Sequence, residues 1–188
     1  NNLSLTVKRE EHRICSNYVC NQKKGDTFRQ TGPFGSSFLL PNDPNAKLIM
    51  VCTGTGSAPY RAFKMRRQRT SPDVMASMML FFGARTPESL PYFGPLKKVP
   101  GEFLDKHFAF SRISGEPKAY VQDRLREAGA TIGPMLSDPN THIYVCGLKA
   151  MEDGVEQSFR DIARAAGRDW GEIRDAMRES GRFHVETY

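Results

Sequence analysis

The chain has 188 residues, of which 39% are hydrophobic and 26% charged, enough for one globular domain and part of another. No apolar run approaches the roughly 20 residues of a membrane-spanning helix, so no membrane span is predicted. The net charge of +6 suits an anionic cofactor or an acidic protein partner. The basic cluster Lys64–Arg69 lacks aromatic residues for base stacking, which argues against nucleic acid. It is interpreted as a solvated helix face, with an acidic partner as the alternative.

Four cysteines and four histidines limit the metal and redox chemistry. The cysteines contain no CxxC pair and the histidines show no ligand spacing, so a zinc site or an iron–sulfur cluster within this chain is not expected. Free thiols are typical of a reducing compartment, which predicts a cytoplasmic protein. The residues concerned are Cys15, Cys20, Cys52, Cys146, His12, His107, His142 and His184.

Residues 3–41 have the pattern of short strands and turns. LSLTVKR alternates with period two, Gly25-Asp26 is a turn signal, and TGPFGSSFLLP is apolar without a helical period. The segment NDPNA at residues 42–46 is predicted to be a linker. We therefore expect a first domain to end at residue 41 and a second to span residues 46–188.

After the linker, buried strand patterns alternate with helical patterns. Helices are predicted near residues 58–69, 115–128, 151–162 and 170–178, and FHVETY alternates like a last strand. Continuous apolar strands separated by helices are typical of a parallel sheet covered on both faces. The sequence therefore predicts an α/β fold with about five strands. The apolar runs are Leu48–Cys52, Met78–Ala84, His107–Ile113 and His142–Gly147.

A glycine-rich segment, VCTGTGSAP (Val51–Pro59), lies between the first of these strands and a helix. Gly54 and Gly56 allow the backbone to approach a phosphate, and the helix amino end supplies oriented N–H groups. Pro59 stands where GxGxxG has its third glycine. The segment is either a dinucleotide-binding turn or an ordinary tight connection, and the residues alone leave both open.

A second group of polar residues follows the third strand. The strand ends in Ser111 and Arg112, and Lys118 and Tyr120 come soon after. Arg112 can bind a phosphate monoester bidentately, Ser111 can donate to it, and Tyr120 can stack on adenine. A surface salt-bridge cluster is the alternative.

These motifs, in this order, resemble the plant-type ferredoxin–NADP reductases over nearly the whole chain. The resemblance rests on GTGSAP, CGLK, an aromatic last residue, LTVKR, CSNYVC (Cys15–Cys20) and GPFG (Gly32–Gly35). It implies FAD and NADP(H) as cofactors. It also implies a parallel five-stranded Rossmann-like NADP-binding sheet at residues 46–188. Residues 1–41 would be the last strands of a truncated antiparallel FAD-binding barrel, whose upstream RxYS motif is absent.

The resemblance implies roles for individual residues. Ser111, Arg112, Lys118 and Tyr120 would hold the 2′-phosphate and make NADPH the preferred nicotinamide, and Lys8 would lie near the pyrophosphate. Ile14, Cys15 and Ser16 would contact the FAD pyrophosphate region. The remaining contacts to the dinucleotides would come from Thr53, Gly54, Thr55, Gly56, Ala58, Pro59, Gly147 and Leu148.

Three residues would be catalytic. Cys146, taken alone most often inert packing, would position the nicotinamide; no paired histidine supports a nucleophilic role. Tyr188 would cover the flavin and move aside for the nicotinamide, although a terminal tyrosine is otherwise a packed edge residue. Glu186 would handle charge and protons at the flavin.

The expected function is reduction of FAD by NADPH and passage of single electrons to a ferredoxin-type iron–sulfur domain or protein. GSSFLLPNDP, the stretch Gly83–Pro100 and HVETY are similar to reductase components of benzoyl-CoA oxygenases (epoxidases), which implies an oxygenase component as the acceptor. A non-catalytic NADP-binding module is the alternative, and a full-length gene without RxYS would favour it.

Overall fold

The computed structural model describes residues 4–32, 37–74 and 77–188. The chain divides into two compact units, Asn1–Ser36 and Ser37–Tyr188. This division lies earlier than the predicted boundary at residue 41, because Phe38 and Leu40 pack with the hydrophobic core of the second unit. The motif GPFG lies outside the described residues except for Gly32.

Described residues 4–32 of the first unit contain one helix, α1 (Ile14–Asn21), and no strand. The side-chain amide of Asn17 donates to the carbonyls of Glu10 and Arg13 at 2.8 and 2.7 Å, which fixes the start of the helix. The barrel strands predicted for this segment are therefore absent from residues 4–32. The alternation in LSLTVKR was misleading because a strand needs a partner to complete its backbone hydrogen bonds, and none is present among these residues.

The second unit is a parallel five-stranded sheet with the order β3-β2-β1-β4-β5 and flanking helices, which confirms the predicted α/β fold. The strands are β1 (Lys47–Thr53), β2 (Met78–Ala84), β3 (Asp105–Phe110), β4 (Thr141–Gly147) and β5 (Phe183–Thr187). The helices are α2 (Ala58–Thr70), α3 (Phe93–Lys97), α4 (Val121–Glu127), α5 (Gly129–Met135), α6 (Glu152–Ala165) and α7 (Trp170–Glu179).

Hydrophobic cores lie on both faces of the sheet. Ile49 and Val51 of β1 belong to the core that also contains buried residues of α4–α7, whereas Leu48, Met50 and Cys52 belong to the core that contains buried residues of α2. Successive strand residues point to opposite faces. Because both faces are covered, β1 reads as a continuous apolar run.

The strand order reverses next to β1. From β1 the chain passes outward to β2 and β3, then returns to place β4 on the other side of β1. The carboxyl ends of β1 and β4 are consequently neighbours, with Cys52 and Cys146 in register. In open α/β sheets, ligands bind at this reversal point. Within the described part of the chain, no helix is long and apolar enough to cross a membrane.

Candidate functional site

Two turns meet at the reversal point: the glycine turn (Gly54–Ser57) after β1 and the β4 turn, which starts at Gly147. A Cβ on Gly56 would lie 2.2 Å from the carbonyl oxygen of Cys146, and a Cβ on Gly147 would lie 2.9 Å from the backbone nitrogen of Thr53. Both distances are shorter than atoms tolerate. Glycine at these positions therefore lets the two backbones touch.

One hydroxyl joins the two turns. Thr53 Oγ1 accepts a hydrogen bond from the backbone N–H of Leu148 at 3.1 Å and donates to the sulfur of Met151 at 3.5 Å. The predicted cofactor-binding residue Thr53 thus has a structural role in holding the β4 turn against the glycine turn. Ala58 and Pro59 follow directly as the first residues of α2, so the amino end of that helix faces the same edge.

The end of β5 lies against both turns. The backbone N–H of Tyr188 donates to the carbonyl of Gly147 at 3.0 Å, and the N–H of Lys149 donates to the carbonyl of Tyr188 at 3.0 Å. The phenol of Tyr188 is hydrogen-bonded to the hydroxyl of Thr55. The Tyr188 side chain nevertheless remains exposed (62%), so it is accessible to a ligand at this edge.

Cys146 lies at the centre of this group. It is in register with Cys52 on one side and with Glu186, an exposed residue of β5, on the other. Burial, and secondarily the charge of Glu186, raises the pKa of the Cys146 thiol to about 11. The thiol is therefore protonated at neutral pH. That state suits packing against a ligand and does not suit nucleophilic attack.

Ser111 and Arg112 extend the end of β3 alongside the end of β2. The N–H of Ser111 donates to the carbonyl of Ala84 at 3.1 Å, and the N–H of Arg112 donates to the carbonyl of Arg85 at 2.8 Å. These bonds place both side chains at the carboxyl edge of the sheet. This is the edge at which the two turns meet.

Lys118 and Tyr120 come to the same place through a loop. The N–H of Ala119 donates to the carbonyl of Phe110 at 3.0 Å, which brings the two residues back beside the end of β3. Tyr120 is 46% exposed. Neither Arg112 nor Lys118 has a carboxylate at ion-pair distance among the described residues. The alternative of a surface salt-bridge cluster is therefore not supported by any pairing in the described chain.

Two cations at this edge were not predicted. Arg85, exposed, follows β2 directly, and Lys149, also exposed, stands two residues after β4. Both lie just beyond the carboxyl end of a parallel strand, where ligands of open α/β sheets bind. That position was the signal by which the sequence could have identified them.

The other predicted site residues belong to the first unit. Ile14, Cys15 and Ser16 form the first turn of α1. Because the first bond to Arg13 comes from the N–H of Asn17, the N–H groups of these three have no acceptor within the helix. No side chain caps this end, so it can receive a phosphate. The ammonium group of Lys8 pairs with Glu10 at the surface.

Comparisons with known proteins agree with this architecture. Residues 50–157 match the oxidoreductase NAD-binding domain family. The ferredoxin–NADP reductase of the Cyanophora paradoxa cyanelle is 39% identical, over 99% of this chain and 56% of the relative. The Synechocystis enzyme is 37% identical (99% and 49%) and the Spirulina enzyme 36% identical (99% and 70%). The chain spans about half the length of the first two relatives.

Proposed function

The chain belongs to the plant-type ferredoxin–NADP reductase family, and we propose that it binds NADP(H) and serves the transfer of hydride to FAD. The observation that carries the proposal is that Arg112 and Lys118 have no carboxylate at ion-pair distance among the described residues. Both lie at the edge where the glycine turn and the β4 turn meet. A dinucleotide binds across such a crevice. The cations at one end of it suit a 2′-phosphate.

The proposed NADP(H) lies across four neighbouring strands, β3, β2, β1 and β4. Adjacent strands are about 4.8 Å apart, so the ends of β3 and β4 are separated by about 14 Å. At β3, Arg112 and Lys118 would hold the 2′-phosphate with Ser111, and Tyr120 would stack on adenine. The glycine turn and the amino end of α2 would face the pyrophosphate, as would Lys149.

The nicotinamide would lie by β4 and β5. When bound, NADPH supplies a hydride to FAD, which releases electrons one at a time. The neutral thiol of Cys146 would pack against the nicotinamide and orient it. The ring of Tyr188 would have to move away from the glycine turn, and the exposed carboxylate of Glu186 could hold a proton at this place.

For the first unit we propose the FAD-binding role. The uncapped first turn of α1, formed by Ile14, Cys15 and Ser16, supports a contact with the FAD pyrophosphate. Residues 1–41 would then be the last part of an FAD-binding domain, with Lys8 near the dinucleotides. The four free cysteines support a reducing compartment such as the cytoplasm.

The proposed electron acceptor is an iron–sulfur carrier. Relatives at 36–39% identity carry the name ferredoxin–NADP reductase, which supports a ferredoxin-type domain or protein as partner. A finer proposal is that this carrier feeds a benzoyl-CoA oxygenase; its support is confined to GSSFLLPNDP, the stretch Gly83–Pro100 and HVETY. Loss of electron transfer to such an oxygenase when the encoding gene is deleted would test it.

Calorimetric titration of the full chain with 2′,5′-ADP and with 5′-AMP tests NADP binding directly, because the two probes differ in the 2′-phosphate. Losing a charged bidentate contact costs about 2–4 kcal/mol. Arg112→Ala should therefore weaken the binding of 2′,5′-ADP about a hundredfold and leave the binding of 5′-AMP unchanged. Arg66→Ala, an exposed change on α2, should affect neither. Equal affinity of the unaltered chain for both probes would contradict the proposal.

A non-catalytic NADP-binding module would pass that test, so a second measurement separates the two functions. In the FAD-containing parent protein, stopped-flow absorbance should show flavin bleaching by NADPH. Cys146→Ser should slow the bleaching while FAD content stays constant. If bound flavin stays oxidised in excess NADPH, the module is the correct function.

A further inference from the structure

Helices α6 and α7 border an open cleft of about 600 Å³, a volume within the range of small-molecule sites. The turn between the helices passes through Gly167, whose φ of +71° suits glycine. Nothing in the proposed NADP function uses this cleft. We call it the arginine cleft after four of the side chains that line it, which are Arg160, Arg164, Arg168 and Arg174.

Two carboxylates also line the arginine cleft, and both have partners. Glu156 accepts a hydrogen bond from Arg174 at 2.9 Å and lies 3.5 Å from Arg160. Asp169 caps α7 by accepting a hydrogen bond from the N–H of Glu172 at 3.0 Å. Glu156 is therefore shared between two arginines, whereas the charge of Asp169 is stabilised by a backbone N–H.

Arg164 and Arg168 are the cations left over. Both are exposed, and neither has a carboxylate at ion-pair distance in the described ranges of the chain. They lie on either side of Gly167, at the end of α6 and in the following turn. The lining of the arginine cleft thus has four arginines against two carboxylates, a net charge of +2. Arg164 and Arg168 are its two arginines without a direct ion pair among the described residues, and Asp161 attracts Arg164 from outside the cleft.

The geometry points to a phosphate ester as the ligand, and we propose that the arginine cleft binds an organic phosphate through Arg164 and Arg168. A guanidinium presents a fork of N–H donors, so one arginine satisfies one carboxylate, whereas a phosphate dianion has oxygens for two. The volume of about 600 Å³ is more than a bare phosphate needs. It leaves room for the organic group.

The arginine cleft is separate from the proposed NADP(H) site. Helix α6 begins at Glu152, whose carboxylate accepts a hydrogen bond from Thr187 at the end of β5. Its 14 residues make it about 21 Å long, and Arg164 lies in its last turn. A ligand at Arg164 and Arg168 would therefore be about 20 Å from the reversal point, too far to be part of a dinucleotide bound there.

A tryptophan in the wall of the arginine cleft can report ligand binding there spectroscopically. Trp170 lines it and is the one tryptophan of the sequence. Its ring is 3% exposed and stacks on Phe159 with centroids 4.9 Å apart, and its indole N–H is buried without an acceptor among the described residues. The single indole N–H resonance and the tryptophan fluorescence should therefore respond to a ligand here and not to one at Arg112.

The test is titration of the full chain with inorganic phosphate and with glycerol 3-phosphate, following the indole resonance of Trp170. We expect a saturable shift with both, and at least equal affinity for glycerol 3-phosphate. Sodium chloride at the same ionic strength should produce no saturable shift. A shift that follows ionic strength alone, or binding of inorganic phosphate only, would overturn the proposal.

Paired variants locate the binding. The double variant Arg164→Ala with Arg168→Ala should weaken the binding of glycerol 3-phosphate at least about tenfold. The corresponding pair of lysine substitutions should give an intermediate loss of affinity, because lysine keeps the charge and lacks the forked guanidinium. Arg66→Ala with Arg69→Ala removes the same charge from exposed positions of α2 and should leave the affinity within about twofold. Equal losses in the two alanine pairs would refute a specific site. All of these positions are exposed, so folding should be retained.

Discussion

The phenol of Tyr188 is hydrogen-bonded to the hydroxyl of Thr55, which ties the end of β5 to the glycine turn. A ligand that uses this turn must first break the contact and displace the ring. In the FAD-containing parent protein the ring would also stack on the flavin, and such stacking contributes about 0.5–1.5 kcal/mol beyond the area it buries. In the proposed NADP(H) site, Tyr188 would therefore compete with the dinucleotide for the same place.

Replacing Tyr188 should strengthen nicotinamide binding. We expect Tyr188→Ser to increase NADP⁺ affinity roughly threefold to tenfold, and to increase NAD⁺ affinity by a similar factor, because both cofactors gain the same free energy. Tyr188→Phe keeps the ring and removes only the contact with Thr55, so its gain should be smaller. Calorimetry measures both. Unchanged or weaker binding of NADP⁺ to Tyr188→Ser would make Tyr188 a packed edge residue only.

Cys146 should be slow to alkylate. Its pKa of about 11 leaves about one thiol in several thousand ionised at pH 7.5, whereas Cys15 is exposed. Iodoacetamide followed by peptide mass spectrometry should modify Cys15 first. The Cys146 rate should rise about tenfold for each pH unit as the pH increases towards 11. Equal rates at pH 7.5 in the folded chain would contradict a protonated thiol; equal rates in urea are the expected control.

Gly56 should tolerate no side chain. A Cβ there would lie 2.2 Å from the carbonyl oxygen of Cys146, and a strand backbone cannot move aside cheaply. Gly56→Ala should lower the free energy of unfolding by about 2–4 kcal/mol. Gly101→Ala is the matched control, since nothing lies within 4 Å of its Cβ position, and it should change stability by less than about 0.5 kcal/mol. Urea denaturation of both variants measures the change in the free energy of unfolding; equal changes would contradict the expected clash at Gly56.

The stability of the second unit should depend on pH through His142. Burial, followed by the charges of His184, Arg182 and Arg67, lowers the pKa of His142 from 6.5 to about 4, and Asp43 opposes the shift. The folded chain therefore favours the neutral ring. Its contribution to stability is fully present above pH 6.5 and is lost as the pH falls from 6.5 towards 4.

The loss from His142 should reach about 2–3 kcal/mol, because each unit of pKa shift is worth about 1.36 kcal/mol and the ring is half-buried. Urea unfolding at several pH values between 7.5 and 4.5 measures it. His142→Phe keeps a ring beside Tyr144 and should flatten the pH profile. His12→Phe, an exposed change in the first unit, should leave the profile as it was. An unchanged slope in His142→Phe would show that another group titrates.

Hydrophobic pattern was sufficient to predict most of the second unit. Leu48–Cys52 and His142–Gly147 read as buried strands because both of their faces are covered. The apolar residues of α6 follow the helical spacing of three and four, and those on this face, Val155, Phe159 and Ile162, are buried. The order of the strands does not follow from such local patterns, because it depends on which strand each connection returns to.

The helices that were missed have local sequences that disfavour them. Helix α5 contains Gly129 and Pro134, which are poor helix formers, and it is held by burial of Ile132 and Met135. Helix α1 depends on the contacts of Asn17 with preceding carbonyls.

In the candidate site, the motif residues were identifiable by resemblance. The structural role of Thr53 was not, because it depends on Leu148 in the β4 turn, 95 residues away along the chain.

The hydroxyl of Thr53 couples the glycine turn and the β4 turn, which together form the crevice. Since Leu148 and Met151 are both hydrogen-bonded to this hydroxyl, a shift of one turn displaces the other. The width of the crevice is then a property of the folded chain, fixed before any ligand arrives. In the proposed site, selectivity between ligands of similar length would then come from the two ends of the crevice, where the exposed side chains of Arg112 and Tyr188 lie.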